Sequence, residues 1–324
     1  MLDIRNLYKN FGPLVAVDDV SFTVKQGEVL GFLGPNGAGK STTMKMATGF
    51  LAPTSGTAIV CGHDIRTHPL AAKRQFGYLP EGAPAYPDMI VADFLHFVAH
   101  IRGYRGSEVR ERTDHIVELV QLGDVYDQRI DTLSKGFRRR VGVAQALIHD
   151  PPVIILDEPT DGLDPNQKHA MRRIIAAMRP EKAIVISTHL LEEVEAVCSR
   201  AVIIAKGRLL ADSTPAKLAA RSRYHNAVRL RIASGSVAKI RADLDRLVDV
   251  EAVEAVTDDE EPGTLLVIAR EGRPIAEDIA EMARARRWRL TSMTVERGRL
   301  DDVFRAITVP DEPRAPWDFS NLSH

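Results

Sequence analysis

Residues 34–41 read Gly34-Pro35-Asn36-Gly37-Ala38-Gly39-Lys40-Ser41, followed by Thr42. Glycines at these positions let the backbone curl with no Cβ in the way. Successive N–H groups can then point inward at a phosphate, and a following helix offers its positive end. Lys40 can reach the β- and γ-oxygens of a nucleotide, and the Ser41 hydroxyl can be offered to Mg²⁺. The mechanism needs a strand before the loop and a helix after it. The apolar run Val29-Leu30-Gly31-Phe32-Leu33 and the helix-forming Thr42 to Met46 supply both. The chain is expected to bind a nucleoside triphosphate.

A second phosphate-directed pattern lies at Val153-Ile154-Ile155-Leu156-Asp157-Glu158, where four apolar residues end in adjacent carboxylates. Alternation across a strand exit divides their labour. Asp157 can hold Mg²⁺ or its water shell, while Glu158 points at the water that attacks the γ-phosphate and is the expected general base. Two acids at the mouth of a strand beside a phosphate loop repel each other, and a divalent cation relieves that repulsion.

The elements that must position these residues alternate. Short β-rich runs at Val20–Val24, Val29–Leu33, Gly56–Val60, Phe76–Leu79, Val153–Leu156, Ala183–Ser187 and Ala201–Ala205 are separated by helical stretches. The pattern predicts an α/β domain with a substantially parallel sheet. About residues 88–150 a helical insertion is expected, with amphipathic segments at Val91–Leu95 and Ile116–Val120 that present a face to another protein. The character turns polar and basic around 212–226. Beyond it the expected order is strand, helix, strand, strand, helix, strand, with a last helix at Leu300–Ile307. That order suggests a small ferredoxin-like α+β domain over 216–308, followed by a flexible tail at 309–324.

Composition narrows the class. At 324 residues, 44% apolar and 27% charged, the chain has room for two globular domains. A net charge of −1 with interspersed signs argues against a nucleic-acid partner. The start of the chain has no leader pattern and no apolar run approaches a membrane span, so neither secretion nor membrane crossing is expected. Cys61 and Cys198, the two cysteines, lack metal-ligand spacing and read as small buried apolar residues of a reducing cytoplasm.

Between the two phosphate motifs runs Leu133-Ser134-Lys135-Gly136-Phe137-Arg138-Arg139-Arg140. A Ser at a helix start followed by Gly offers a hydroxyl and free N–H groups to an anion, or serves as a plain helix cap. Here the chain resembles the ATP-binding subunits of ABC transporters over roughly residues 2–215. The resemblance implies a P-loop ABC ATPase domain of residues 1–215 with a helical subdomain. It also implies that Ser134 and the Gly136 amide cap the γ-phosphate of ATP held by a second copy. Pro159-Thr160-Asp161-Gly162-Leu163-Asp164 resembles the D-loop, in which Asp164 couples two sites across a dimer. His189, after Ser187-Thr188, matches the switch histidine that contacts the γ-phosphate. Phe11 matches the adenine-stacking aromatic, ahead of Tyr8. The choice of ATP over GTP rests on the resemblance.

Two departures stand out. Glu81, in Tyr78-Leu79-Pro80-Glu81, occupies the position where the family usually has the Q-loop glutamine. A carboxylate there can still reach Mg²⁺ while adding negative charge beside the γ-phosphate. Lys135 and Phe137 replace the usual Gly and Gln, and Lys135 either adds a cation near the second copy's phosphate or lies on the surface. These variants, with Leu300-Asp301-Asp302-Val303-Phe304, resemble drug-, sodium- and gliding-type exporter ATPases that carry a C-terminal extension.

The implied function is ATP-driven closing and reopening of a head-to-tail homodimer. The work passes to separate transmembrane permease subunits, with the ATPase peripheral on the inner face of the membrane and the helical insertion and Glu81 loop as the docking face. The alternative class is a soluble ABC-type ATPase acting in DNA repair, chromosome structure or at ribosomes. Such chains carry a long coiled coil or tandem cassettes, and neither is found here. For the C-terminal domain, a partner-docking or dimer-stabilising role competes with small-molecule sensing.

Overall fold

In the computed structural model five of the apolar runs, Val29–Leu33, Phe76–Leu79, Val153–Leu156, Ala183–Ser187 and Ala201–Ala205, pair side by side in one sheet. Residues 1–256 and 263–308 are described; the expected tail at 309–324 lies outside them. The chain divides into two compact units, one over Met1–Asp212 and one beginning at Ser213.

The first unit opens with two antiparallel strands, β1 (Leu2–Phe11) and β2 (Leu14–Val24), then β3 (Val29–Leu33) and helix α1 (Lys40–Ala47). Next come β4 (Ser55–Val60), the short β5 (His63–Asp64), α2 (Pro69–Arg74) and β6 (Phe76–Leu79). The helical insertion holds α3 (Val91–Ile101), α4 (Ser107–Leu119) and α5 (Lys135–Leu147). The unit continues with β7 (Val153–Asp157), α6 (Pro165–Met178), β8 (Ala183–Thr188), α7 (Leu191–Val197), β9 (Arg200–Ala205) and β10 (Arg208–Ser213).

Two sheets result, β2-β1-β4-β5 and the six-stranded β10-β9-β3-β8-β7-β6. Within the latter, β3 pairs in parallel with β8 and β9, β7 with β8, and β6 with β7. The central strands are buried on both faces, which is why they read as unbroken apolar runs and not as alternations. Successive side chains serve opposite cores. Val29, Ile154, Leu156, Ile184 and Ile186 pack with the helical insertion, whereas Leu30, Phe32, Val153, Ile155 and Val185 pack with β1, β2 and α1.

Sequence periodicity did not reveal β1 or β10. In β1, Asn6 adopts φ 46 and the pairing with β2 shifts register three times, which breaks the alternation. β10 is an edge strand carrying Arg208, Asp212 and Ser213. Cys61 and Cys198 are free, and both are half-buried instead of buried as expected.

The second unit contains α8 (Pro215–Ala219), β11 (His225–Ser234), α9 (Val237–Leu244), β12 (Val250–Ala255) and β13 (Thr264–Ala269). It closes with α10 (Ala276–Ala285), β14 (Arg289–Arg297) and α11 (Leu300–Thr308). Its strands form one antiparallel sheet in the order β12-β13-β11-β14. A single core joins that sheet to α9 and α10 through Val228, Leu230, Ile240, Leu244, Val267 and Ile279. No helix among the described residues is long and apolar enough to cross a membrane.

Candidate active site

Four parallel strands deliver the chemistry-bearing residues to one edge of the sheet. β3 runs into Gly34, β7 ends at Asp157 before Glu158, β8 ends just before His189, and β6 ends two residues before Glu81. Register makes these ends level: Leu33 lies opposite Thr188, Asp157 opposite Ser187 and Leu79 opposite Leu156. A crevice outside the carboxyl ends of parallel strands is where open α/β sheets bind ligands.

The loop at 34–39 tolerates no side chain at two of its glycines. A Cβ on Gly34 would stand 2.3 Å from the Ile204 carbonyl oxygen. Gly39 has φ +105 and faces the Ala16 carbonyl, which would lie 2.5 Å from a Cβ. Gly39 is also the N-cap of α1, so no side chain caps that helix and its first turn carries no acid. The amide end of α1 is left for an anion.

Lys40 curls back over this loop. Its Nζ donates to the carbonyls of Gly34 at 2.8 Å and Pro35 at 3.2 Å, and stands 3.8 Å from Glu158 Oε1. Burial holds the Lys40 ammonium below its ordinary pKa, against the opposing pull of Glu158, Asp157 and Glu81. A cation so placed gains by meeting phosphate oxygens.

Asp157 is fully buried. Its Oδ1 accepts from the Ser187 hydroxyl and stands 3.5 Å from Ser41 Oγ. Its Oδ2 is buried with no partner among the described residues, and so is the Tyr78 hydroxyl. Burial, reinforced by Asp157 and Glu81, pushes the Tyr78 phenol up, so it stays a neutral donor. An unpaired buried carboxylate oxygen is costly, and this set of hard oxygen donors fits Mg²⁺.

Glu158 is 8% exposed and adopts φ 49, in the left-handed region that costs a non-glycine residue about 1–3 kcal/mol. Its N–H donates to the Ser187 carbonyl at 3.0 Å, which helps fix that conformation. His189 Nδ1 lies 3.0 Å from each Glu158 carboxylate oxygen, with the His189 side chain 38% exposed.

Phe11, Asn36, Gly37, Gly39, Lys40, Ser41, Thr42, Glu81 and Glu158 line one cavity of ≈ 620 Å³. Gly34, Pro35 and the buried Ala38 complete the loop. Phe11 is 48% exposed at the cavity wall, beside Leu14 and Val15 at the start of β2. That exposed apolar wall suits a flat ring. Leu14, Val15, Lys206 and Gly207 escaped sequence reasoning because nothing local marks them as facing the loop.

Asp157 and His189 do not line this cavity themselves but contact Ser41 and Glu158, which do; Ser134, Gly136 and Asp164 are also not among its lining residues. Ser134 caps α5 and accepts from the Phe137 N–H at 3.3 Å. Asp164 caps α6 in a reciprocal capping box with Gln167. Lys135 forms a half-exposed ion pair with Asp161 at 3.6 Å.

A model of the ABC transporter family matches residues 17–161. The chain is 39% identical over 212 residues to the uncharacterized ABC transporter ATP-binding protein YhcH of Bacillus subtilis, covering 65% of this chain and 68% of that one. It is 31% identical to the Nod factor export ATP-binding protein I of Ralstonia nicotianae, covering 95% and 94% of the two chains. Among solved structures, cbiO1 of Clostridium perfringens, described as part of the ABC transporter complex cbiONQ, superposes with a TM-score of 0.62. That match has 27% identity and covers 68% of this chain and 90% of the other.

Proposed function

The chain belongs to the ATP-binding proteins of the ABC transporter family, and from that premise we propose that it powers a membrane exporter as a head-to-tail homodimer beneath separate permease subunits. The observation that carries this is the division of the predicted residues. Those that hold and hydrolyse a nucleotide line one cavity or, as Asp157 does with Ser41 and His189 with Glu158, touch a residue that lines it, whereas the exposed Ser134 at the head of α5 does neither. A second copy supplies what the cavity lacks.

In this reading the adenine stacks on Phe11, and the amides of residues 34–42 hold the phosphates. Lys40 exchanges the Gly34 and Pro35 carbonyls for β- and γ-oxygens. Ser41, Asp157 and Glu81 would hold Mg²⁺, which when bound neutralises charge on the β- and γ-phosphates. Glu158 takes the proton of the attacking water. His189 holds the Glu158 carboxylate and faces the γ-phosphate. Ser134 and the Gly136 amide of the second copy cap that phosphate, and Asp164 couples the two sites. Closure buries two nucleotides between the copies, and hydrolysis reopens the pair.

We assign residues 1–215 to the ATPase domain, with its helical insertion at about 88–150, and 216–308 to a ferredoxin-like domain. The strand order β12-β13-β11-β14 with α9 and α10 in one core supports the latter. For this domain the reading is a partner-docking or dimer-stabilising module. Export is supported by the nearly full-length similarity to a protein named for Nod factor export. The docking face for permease helices is the helical insertion with the Glu81 loop, where Tyr86 (56% exposed) packs edge-to-face with Phe97 (39% exposed) and with the buried Phe94. The ATPase is thereby held peripherally at the membrane.

The test is subunit poisoning. Titrating wild-type protein with Glu158→Gln protein should depress ATPase activity more steeply than dilution, because mixed dimers are impaired. A strictly linear loss would contradict dimer catalysis. Tagged Glu158→Gln protein with Mg-ATP should also capture a polytopic membrane protein from solubilised host membranes; ribosomal or DNA-associated partners would favour the soluble class.

A further inference from the structure

Arg139 is a buried cation that the proposed reaction leaves unused. It stands on α5 five residues after Ser134 and is 4% exposed. Its Nη1 is buried with no hydrogen-bond partner among the described residues, and no ion pair joins it to any of them.

Its neighbours on the helix show where it sits. Positions 136, 139 and 142 recur every three residues and share a face of α5. Gly136 packs on the head of α6 so closely that a Cβ would lie 2.5 Å from Gln167 Cδ. Gly142 packs on the opposite neighbour, with a Cβ position 2.6 Å from Leu79 and 2.8 Å from Ala83, the residues that bracket Glu81. Lys135, at the start of the same turn, reaches Asp161. Arg139 therefore projects between the segment that follows Glu158 and the segment that holds Glu81. Burial draws its guanidinium below the ordinary arginine pKa, while Asp161, Glu158, Asp157 and Glu81 pull the other way.

A buried guanidinium with no direct partner costs stability, and an apolar side chain of similar length would cost less.

We infer that Arg139 is a positioning residue for hydrolysis: its fixed charge, shared among the carboxylates of the two flanking segments, couples the place of α5 and its Ser134 end to that of Glu158. The inference rests on the roles proposed above for Glu158 and Ser134. Loss of the charge should leave nucleotide binding intact and slow the step that needs α5 and Glu158 aligned.

The experiment compares full-length Arg139→Met, Arg139→Lys and wild-type protein by ATPase kinetics and thermal melting, with Glu158→Gln alongside. Arg139→Met should lower kcat about tenfold with KM for ATP changed less than about twofold. It should also raise Tm by about 2–4 °C. Arg139→Lys should recover most of kcat. An Arg139→Met protein that loses Tm while keeping kcat, or whose kcat Lys does not recover, overturns the inference and leaves a packing role. If Arg139→Met lacks a cooperative melt, Arg139→Gln carries the same comparison. Near wild-type turnover by Glu158→Gln would instead overturn the base assignment, whatever Arg139 does.

Discussion

His189 Nδ1 stands 3.0 Å from both carboxylate oxygens of Glu158, although the two residues lie 31 positions apart in sequence. The parallel pairing of β7 with β8 creates this contact by setting Asp157 opposite Ser187 and bringing both strand exits level. A base held by a second group has one orientation toward its water. His189→Ala should therefore lower kcat by about 10²-fold with little change in KM. Acting as a unit with Glu158, it should add little to the loss already present in Glu158→Gln. Steady-state ATPase kinetics of both single variants and the double variant check this, and additive losses would contradict it.

Gly39 is required by conformation as well as by space. With φ +105 and the Ala16 carbonyl 2.5 Å from any Cβ, Gly39→Ala must shift the loop that begins α1. The expected cost is about 1–3 kcal/mol of stability, together with a lower affinity for ATP. Urea unfolding and nucleotide titration measure the two effects, and unchanged values for both would refute this account of the loop.

Asp157 tests the cation site. Asn in its place keeps the shape and loses the charge that faces Ser41. Asp157→Asn should raise the Mg²⁺ concentration for half-maximal ATPase at least about tenfold. Paramagnetic resonance of Mn²⁺ with ATP gives a reading independent of turnover. An unaltered metal requirement would remove Asp157 from the site.

His149 gives the fold a pH dependence remote from the chemistry. Its Nε2 donates to the Phe76 carbonyl at 3.1 Å, and its Nδ1 is buried without a partner among the described residues. Burial, aided by Arg102, pushes the imidazole down from 6.5 to about 4. The unfolded chain takes up this proton first, so stability present above pH 6.5 is lost as pH falls toward 4, by about 3 kcal/mol in total. Urea unfolding of wild-type and His149→Gln protein at pH 7 and pH 4.5 should show a shallower loss in the variant. Equal losses would assign the dependence elsewhere.

Much of this was legible in the residues, for identifiable reasons. The spans of β3 and β6 follow from apolar runs bounded by polar or turn-forming residues. The phosphate loop is readable because its glycines act locally. Tyr78 and Arg139 were not readable as site neighbours, since nothing near them in sequence says that a tyrosine hydroxyl or a guanidinium will be buried beside carboxylates. The φ of 49 at Glu158 was equally hidden, because it is imposed by the pairing of its N–H with Ser187 on a distant strand. Ser187 left a trace, as a hydroxyl closing the apolar run Ala183–Ile186.

Glu158 is proposed to remove the proton of water between two copies of a 35.8 kDa chain. Size-exclusion chromatography with light scattering on Glu158→Gln protein, with and without Mg-ATP, tests it most directly, with phosphate release followed in the same samples. The expected result is a monomer without nucleotide, a stable species of twice that mass with Mg-ATP, and no phosphate release. A variant that stays monomeric with ATP bound, or that hydrolyses at the wild-type rate, would contradict it.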